Sequence, residues 1–157
     1  MKLLLLGCLL LWAGDARGEE VGSFTNDWTG NGIVVEAFSD PKVQGVTCHL
    51  VHFDRSVLDR LRKGNWFENP SNSAISCRQT GPIVIGDIAT GKKGEDVYAQ
   101  RMSLVFKSLA VRRIYDKDND TLVYVAYSRQ VKDASAKMAL ATIALFDAKP
   151  TWTNGKP

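Results

Sequence analysis

Residues 101–128 read RMSLVFKSLAVRRIYDKDNDTLVYVAYS, and this stretch decides the expected fold. Apolar and polar side chains alternate through residues 102–106, which is the period of a half-buried strand. The alternation breaks at Lys107 and resumes as far as Tyr115, so the sequence predicts one long strand with a bulge. The polar run DKDND at 116–120 separates this strand from the β-rich run LVYVAY, which indicates a hairpin.

Strand patterns also occur before this hairpin. Alternating or β-branched runs, separated by turn residues, occupy 33–38, 46–53, 74–79 and 82–88. Together with the hairpin they predict a mostly β fold, α+β at most. The expected architecture is a single antiparallel sheet, a sandwich or a partly closed barrel.

One short helix is expected within this β-rich chain. Asp54 can cap its start, apolar residues recur at helical spacing through 55–63, and a glycine follows its basic end. Residues 138–146 fit either a strand or a helix, and we favour a strand. We expect irregular chain at 19–32 and a frayed tail at 149–157.

The beginning of the chain has the organisation of a signal peptide. Lys2 provides a positive start, an apolar run follows, and Ala16 and Gly18 are small residues at the spacing that signal peptidase accepts. Cleavage after Gly18 removes residues 1–18 and leaves a single β-rich domain at 19–157. A lipoprotein signal is the lesser alternative, because the apolar run continues past the first cysteine of the chain.

The charge and hydropathy of the chain restrict its partners. The formal net charge is +3, and it becomes +2 when Lys2, Asp15 and Arg17 leave with the signal peptide, since two cations and one anion are removed. So small a charge gives no basis for nucleic acid or a membrane surface as a partner. No second apolar run reaches transmembrane length, so we expect no transmembrane anchor and a periplasmic or secreted protein.

The two cysteines that remain after cleavage, Cys48 and Cys77, are expected to form a disulfide. Both lie in strand-like runs, and exported chains with two cysteines most often pair them. A bridge across this spacing would stabilise the fold by about 3–4 kcal/mol. No Cys-x-x-Cys spacing supports a redox or metal site instead.

Two motifs imitate ligand sites but lack residues that those sites require. GDIATGKK at 86–93 resembles a phosphate-binding loop, but Lys93 stands where a hydroxyl must bind magnesium, and no helix pattern follows. Asp116, Asp118 and Asp120 alternate as in a calcium loop, but the glycine and the final glutamate are missing. We predict surface turns at both places.

The histidines do not indicate a metal or catalytic site. His49 and His52 are three residues apart, so on a strand they face opposite sides and cannot share one ion. No Gly-x-Ser-x-Gly nucleophile elbow is present. We therefore expect no catalytic, metal-binding or cofactor-binding residue and no cofactor, and we lean against an enzyme.

Basic residues cluster around the expected central strands, at Arg101, Lys107, Arg112 and Arg113. Neighbouring strand residues point to opposite faces, so these four do not form one patch. We expect solubilising charge on the outer face, with an anion or acidic-partner surface as the alternative.

Aromatic residues give the candidate binding positions. Tyr124 and Tyr127, with Trp66 and Phe67, are expected to pack in the core or to line a cavity. Trp66 and Phe67 lie between the two cysteines, and an aromatic pair held near a bridge is a candidate partner-binding site. The alternative is that Trp66 closes one end of the core.

The chain resembles the CreA family of small exported bacterial proteins. The resemblance is carried, in order, by IVVEAFSDP (33–41), VTC (46–48), AISCRQTGPI (74–83), RMSLVFKSL (101–109) and LVYVAYS (122–128), with a weaker match at SAK (135–137). It implies a periplasmic or secreted protein. It carries no activity, ligand or catalytic residue to this chain.

Three classes of function remain open from the sequence. The first is a non-catalytic binding or accessory module of the envelope, acting on a protein partner or a small ligand. The second is a structural or stress-related envelope protein, and the third is a periplasmic enzyme. A deep, partly polar pocket would favour ligand binding, whereas a filled core with an apolar surface patch would favour a protein partner.

Overall fold

A computed structural model describes residues 18–54, 61, 73–101, 107–130 and 137–157. Within these residues the chain forms nine strands and little else of regular structure. They are β1 (Glu19–Thr25), β2 (Gly32–Asp40), β3 (Val43–Asp54), β4 (Ser73–Ile85), β5 (Glu95–Arg101), β6 (Lys107–Asp116), β7 (Thr121–Gln130), β8 (Met138–Ala144) and β9 (Thr151–Trp152).

The strands form two sheets. One sheet has the order β1-β2-β3-β4-β9 and the other has the order β5-β6-β7-β8. Neighbouring strands are antiparallel except for β4 and β9, which are parallel. Contacts of β4 with β8 and of β2 with β5 bring the sheets face to face. The predicted β-rich fold is confirmed, and it is a sandwich and not a closed barrel.

The core lies between the inner faces of the two sheets. Strand β3 contributes Val46, Cys48 and Leu50, and strand β7 contributes Leu122 and Tyr124, all of them alternate residues and all buried. This alternation is the expected consequence of the two-residue side-chain period of a strand. A single connected cluster of buried apolar side chains results.

Gly45 permits a β-bulge in the long β3–β4 pair near one end of the sandwich. The register of the two strands shifts between Gln44 and Val46. Gly45 has a φ of +76°, and a Cβ atom there would lie 2.2 Å from the carbonyl oxygen of Pro82. Only glycine fits such a bulge, so β4 continues through Pro82 as one strand where the sequence predicted two.

The prediction of one long bulged strand across 101–115 is wrong. Strand β5 ends at Arg101 and strand β6 begins at Lys107, and the two are antiparallel neighbours with Arg101 opposite Ser108. The break in the alternation at Lys107 therefore marks a change of direction and not a bulge. Residues 102–106, on which much of the prediction rested, lie outside the described residues. The hairpin turn at 116–120 is confirmed.

Two segments expected to be irregular contain strands. β1 pairs with β2, but all seven of its residues are exposed, so burial imposes no alternation that a sequence could show. In the tail, β9 pairs with β4, and the ring of Trp152 lies 5.3 Å from that of Tyr115, centroid to centroid. The backbone amide of Thr153 donates to the carbonyl of Ile85 at 2.9 Å.

The strand favoured for 138–146 is confirmed as β8. Its inner face carries small side chains, Ala139 and Ala141, followed by Ile143. The larger Met138 and Leu140 point outward and are 71% and 62% exposed.

Of the helix predicted near 55–63, only Leu61 is described, with helical backbone, and the remainder lies outside the described residues. None of the described helical chain is both long and apolar enough to pass through a membrane.

Candidate functional site

Two groups of polar side chains lie between the sheets, and the first surrounds Arg113. This arginine cluster consists of Arg113, Asp40, Glu95, Tyr124 and Lys42. Arg113 is only 1% exposed, and its guanidinium forms ion pairs with Asp40 and with Glu95. The hydroxyl of Tyr124 donates to Asp40 Oδ2 at 3.0 Å. The cluster therefore joins strand β2 of one sheet to strands β5, β6 and β7 of the other.

The expectation that Arg112 and Arg113 both carry outer-face charge is wrong for Arg113. Arg113 points to the same face of β6 as Val111 and Tyr115, both of which are buried. Arg112 faces outward, as expected, and its Nε atom lies 2.8 Å from Asp96 Oδ1. The side chains of Arg101 and Lys107 lie outside what the structure describes.

Charge in the arginine cluster is compensated locally. The ammonium group of Lys42 lies 2.7 Å from Glu95 Oε2, and the backbone amide of Ala89 donates to Glu95 Oε1 at 2.7 Å. Partial burial raises the pKa of Glu95, but these hydrogen bonds and the charge of Arg113 outweigh burial and lower it. Burial and the adjacent Asp40 raise the pKa of Tyr124, which keeps it a phenol donor. Apart from the Nε atom of Arg113, which is buried without a hydrogen-bond partner among the described residues, the charged groups of this cluster are paired, and these contacts link the two sheets.

The second group lies at the opposite end of the β2–β3 pair. This histidine cluster consists of Glu36, His52, Ser73, Tyr98 and Gln100. Glu36 is 7% exposed and accepts hydrogen bonds from the Tyr98 hydroxyl at 2.5 Å and from Gln100 Nε2 at 2.8 Å. Burial and the neighbouring carboxylate of Glu36 raise the pKa of Tyr98. Two uncharged donors thus hold a buried carboxylate.

His52 and Ser73 are the incompletely paired members of the histidine cluster. They lie directly opposite each other on β3 and β4. His52 is 7% exposed, and its Nε2 atom lies 3.6 Å from Glu36 Oε1, beyond hydrogen-bonding distance. Among the described residues, neither ring nitrogen of His52 nor the hydroxyl of Ser73 has a hydrogen-bond partner. Buried polar groups of this kind are rare in folded proteins, so each needs an explanation.

A cavity of about 580 Å³ adjoins these two side chains. It lies at the strand ends, where β3 ends and where β4 and β8 begin. Val51, Phe53 and Ala74 line it from the outer face of their sheet, whereas His52 and Ser73 belong to the inner face. Its lining is mostly apolar, with His52, Ser73 and Lys137 as the polar members; the rest are Ile33, Val51, Phe53, Ala74 and Met138. Small-molecule sites have this size and this composition, in which a few polar groups lie in an apolar wall.

The predicted disulfide is present in the structure. The sulfur atoms of Cys48 and Cys77 are 2.03 Å apart, and the two residues are directly opposite each other on β3 and β4. The bridge lies on the same face of the strand pair as His52 and Ser73, four cross-strand positions away. It therefore fastens together the two strands that carry the cavity's polar groups.

His49 and His52 lie on opposite faces of β3, as the sequence predicted. Each is paired across the strand with a serine, since His49 is opposite Ser76 and His52 is opposite Ser73. Only the second pair faces the interior. No set of three His, Cys, Asp or Glu side chains within the described ranges could hold a metal ion.

The two motifs that resemble ligand sites, at 86–93 and 116–120, are turns. Gly94 has a φ of +57° and donates its amide to the carbonyl of Gly91, and strand β5 begins where a phosphate loop needs a helix. At 116–120, Asp116 accepts two hydrogen bonds from Asn119. These contacts account for the residues of both motifs without a ligand.

Two aromatic predictions can be compared with the structure. Tyr124 is fully buried in the core, and the hydroxyl of Tyr127 donates to Asp96 near the surface. Trp66 and Phe67 lie outside the described residues, so their role in partner binding stays a prediction.

Sequence reasoning missed Glu36 and the pairing of His52 with Ser73. The sequence did contain a signal for both residues. Glu36 lies on the same strand face as the apolar Phe38, and His52 lies on the same strand face as Cys48. A charged or polar residue on the apolar face of a strand indicates a buried polar site. The pairing with Ser73 could not be predicted, because it depends on the register between β3 and β4.

The fold and the site define a class: a disulfide-linked β-sandwich with a ligand-sized cavity at one end. Residues 21–148 match the family described as CreA protein. The chain is 42% identical over 153 residues to Protein CreA of Escherichia coli strain K12, an alignment that covers 92% of this chain and 96% of that protein. Protein CreA of Escherichia coli O157:H7 matches equally well. The chain belongs to the CreA family. No solved structure matches it.

Proposed function

We propose that this protein is a non-catalytic binding module of the bacterial envelope, and that it binds a small ligand in the cavity beside His52 and Ser73. The observation that carries the proposal is a cavity of about 580 Å³ with a mostly apolar lining. It adjoins two side chains whose buried polar atoms have no hydrogen-bond partner among the described residues. Leaving such groups unpaired costs stability. A ligand that hydrogen-bonds to them would remove that cost.

Binding is favoured over catalysis by the geometry of the histidine cluster. A serine nucleophile requires a hydrogen bond to its base, and the base requires one to an orienting group. Ser73 makes no hydrogen bond to His52, and His52 makes none to Glu36. Tyr98 and Gln100 occupy the carboxylate oxygens of Glu36 instead.

Export to the periplasm, or secretion, is part of the proposal. Residues 1–18 have the pattern of a signal peptide. The Cys48–Cys77 bridge supports export as well, because disulfides persist in oxidising compartments.

Extraction of bound small molecules tests the binding proposal. The full chain is produced in an Escherichia coli host, purified from the periplasmic fraction and denatured, and the released compounds are identified by mass spectrometry. We expect one compound at a fixed ratio to the wild-type protein and to a His49→Phe/Ser76→Ala control, and its loss from a His52→Phe/Ser73→Ala variant. The control changes the same residue types on the other face of the same strands. The same yield from all three proteins would contradict the proposal.

A further inference from the structure

The expected cleavage site of the signal peptide lies against the histidine cluster. Gly18 is the last residue of the expected leader, and Glu19 begins strand β1. A Cβ atom on Gly18 would lie 3.0 Å from Glu36 Oε2 and 3.1 Å from the hydroxyl oxygen of Tyr98. Both distances are shorter than ordinary van der Waals contacts. The backbone at the cleavage site therefore lies directly beside the buried carboxylate.

Strand pairing positions the start of β1. Glu19 is opposite Ala37, and Glu20 is opposite Glu36, on the neighbouring strand β2. The pairing continues as far as Thr25, with one irregularity after Glu20. Six paired positions hold β1 on β2, so the start of β1 can stay beside Glu36 after the leader has been removed.

Glu36 has no strong cation beside it. It is 7% exposed, and among the described residues no lysine or arginine forms an ion pair with it. Its hydrogen bonds come from the uncharged Tyr98 and Gln100, and His52 lies 3.6 Å away. The arginine cluster, by contrast, holds a buried guanidinium between its carboxylates. A buried carboxylate without a cation costs free energy, so the histidine cluster has a place for one positive charge.

Cleavage after Gly18 creates a positive charge at this place. Hydrolysis consumes one water molecule: a hydroxyl joins the carbonyl carbon of Gly18, the peptide bond breaks, and the nitrogen of Glu19 takes up protons to become an α-ammonium group. Standard bond lengths put this nitrogen within about 7 Å of Glu36 Oε2 while Gly18 is still attached. The departure of Gly18 vacates space beside the carboxylate, so the ammonium group can approach it by rotation of the Glu19 backbone.

The carboxylate retains capacity for this donor. Oε2 of Glu36 accepts one hydrogen bond, from Tyr98, and a carboxylate oxygen offers two lone-pair sites. Because Glu36 is buried, its attraction for a cation is screened less than it would be at the surface.

We propose that Glu36 is a binding site for the chain's own new amino terminus, and that the α-ammonium group of Glu19 forms an ion pair with it after cleavage. This inference rests on the proposed export, with cleavage after Gly18, and goes beyond the proposed ligand binding. Removal of the leader then completes the charge balance of the histidine cluster, and the mature chain is more stable than the precursor.

The pKa of the α-amino group tests the ion pair. The full chain is exported and processed by an Escherichia coli host, and this pKa is measured by NMR on the purified mature protein. An unperturbed α-amino group has a pKa of about 7.7–8.0. A carboxylate in contact favours the charged form, so we expect a pKa raised by about one unit or more.

Three variants assign the shift to Glu36. The titratable groups near the new terminus are Glu36 from β2, His52 from β3, Tyr98 from β5 and Glu20 on β1 itself. Glu36→Gln should return the α-amino pKa to its ordinary range, whereas Glu20→Gln, at an exposed carboxylate one residue from the terminus, should leave it raised. Insertion of Gly-Ser-Gly directly after the cleavage site moves the ammonium group three residues away and should also return the pKa to its ordinary range, without a change in the core.

Thermal unfolding of the wild type and of the insertion variant gives a second readout. An amino group whose pKa is higher in the folded than in the unfolded state stabilises the fold below its unfolded pKa, and this contribution disappears as the pH rises through the folded pKa. At pH 7 the wild type should therefore unfold about 3–5 °C above the insertion variant, and the difference should vanish by about pH 10.

The outcomes separate this inference from the proposed function. A chain that begins at Glu19 with an ordinary α-amino pKa overturns the ion pair, and it leaves export and ligand binding unaffected. A raised pKa that persists in Glu36→Gln or in the insertion variant also overturns the inference, because another group is then responsible. An amino terminus other than Glu19 overturns the inference together with the proposed cleavage site, while extraction of bound compounds tests ligand binding separately.

Discussion

His52 is the residue at which the stability of the empty protein and the proposed ligand binding make opposite demands. It is buried, and neither of its ring nitrogens has a hydrogen-bond partner within the described chain. An unsatisfied buried polar group costs about 1–3 kcal/mol. Removing it should therefore benefit the empty protein while it damages binding.

The first prediction is that His52→Phe raises the free energy of unfolding by about 1 kcal/mol, because an aromatic ring of similar shape replaces two unpaired nitrogens. Urea denaturation of ligand-free protein measures the change. The matched control, His49→Phe, lies on the other face of β3 and should change stability by less than about 0.5 kcal/mol. A loss of more than about 2 kcal/mol in His52→Phe would show that the imidazole stabilises the fold through Glu36.

The second prediction concerns the two adjacent arginines. Arg113→Met leaves the buried Asp40 without its ion pair and should destabilise the protein by about 3–5 kcal/mol. Arg112→Met removes an ion pair at the surface with Asp96 and should cost about 1 kcal/mol or less. Thermal and urea unfolding of both variants measure the contrast. Equal losses would contradict the assignment of Arg113 to the interior.

The third prediction is a loss of stability in acid. Hydrogen bonds from Thr29 and Asn31 lower the pKa of Asp27 to about 2, and the hydrogen bond from Lys156 lowers that of Asp120. A carboxylate whose pKa is lower in the folded than in the unfolded state stabilises the fold above its unfolded pKa, near 3.8. That contribution should therefore be present at neutral pH and should disappear as the pH falls from about 4 towards 2.

The free energy of unfolding, measured across this pH range, tests the direction of the predicted pH dependence. Asp27→Asn should flatten the decline, whereas the exposed Asp118→Asn should leave its slope unchanged. A protein that becomes more stable on acidification through this range would contradict the expected contribution of these carboxylates.

Among the secondary-structure elements, the β3–β4 pair carries most of the identifiable features. It holds the Cys48–Cys77 bridge, and it holds the inward His52–Ser73 pair four positions away. A covalent link within this strand pair limits how far the two strands can separate. The strand pair therefore presents its two polar side chains from a rigid support.

The fourth prediction is that the bridge exists in the exported protein and stabilises it. No free thiol should be titratable in the denatured, unreduced chain after removal of residues 1–18, which contain the third cysteine, Cys8. Replacing Cys48 and Cys77 together by Ala should lower the free energy of unfolding by about 3 kcal/mol. Two titratable thiols in the wild-type protein would disprove the bridge.

How far the elements could be predicted depended on what each strand contacts. β3 and β8 have one face in the core, so their side-chain alternation was visible in the sequence. β1 has no buried face, and β9 has only two residues, so neither leaves a periodic signal. The division between β5 and β6 depends on a change of direction that the alternation alone could not distinguish from a bulge.

The candidate site was less predictable than the fold. Each of its side chains is ordinary for a β-strand, and the site exists only because register places Ser73 opposite His52. Glu36 meets Tyr98 across 62 positions of sequence, from the other sheet. Long-range contacts of this kind carry no local sequence pattern.

At the scale of the whole molecule, the two polar clusters occupy opposite ends of the sandwich. The arginine cluster lies at the β2–β3 turn, where Asp40 is opposite Val43. The histidine cluster lies towards the other end of the same strands, where His52 is opposite Val34. One end is fastened by paired charges, and the other offers a cavity with unpaired groups.

The fifth prediction is export with cleavage after Gly18. The full chain, expressed in a bacterium, should be released with the periplasmic fraction and should begin at Glu19 by amino-terminal sequencing. A variant that lacks residues 2–18 should remain in the cytoplasm. Full-length protein retained in the cytoplasm would contradict the proposed location.

The occupancy of the cavity is the central claim, and a crystal structure of the full chain purified from the periplasm without added ligands tests it most directly. The electron density should show a non-protein molecule in the cavity beside His52 and Ser73, in contact with apolar lining residues such as Val51 and Met138. A cavity filled by the protein's own side chains, with His52 and Ser73 hydrogen-bonded to them, would contradict it.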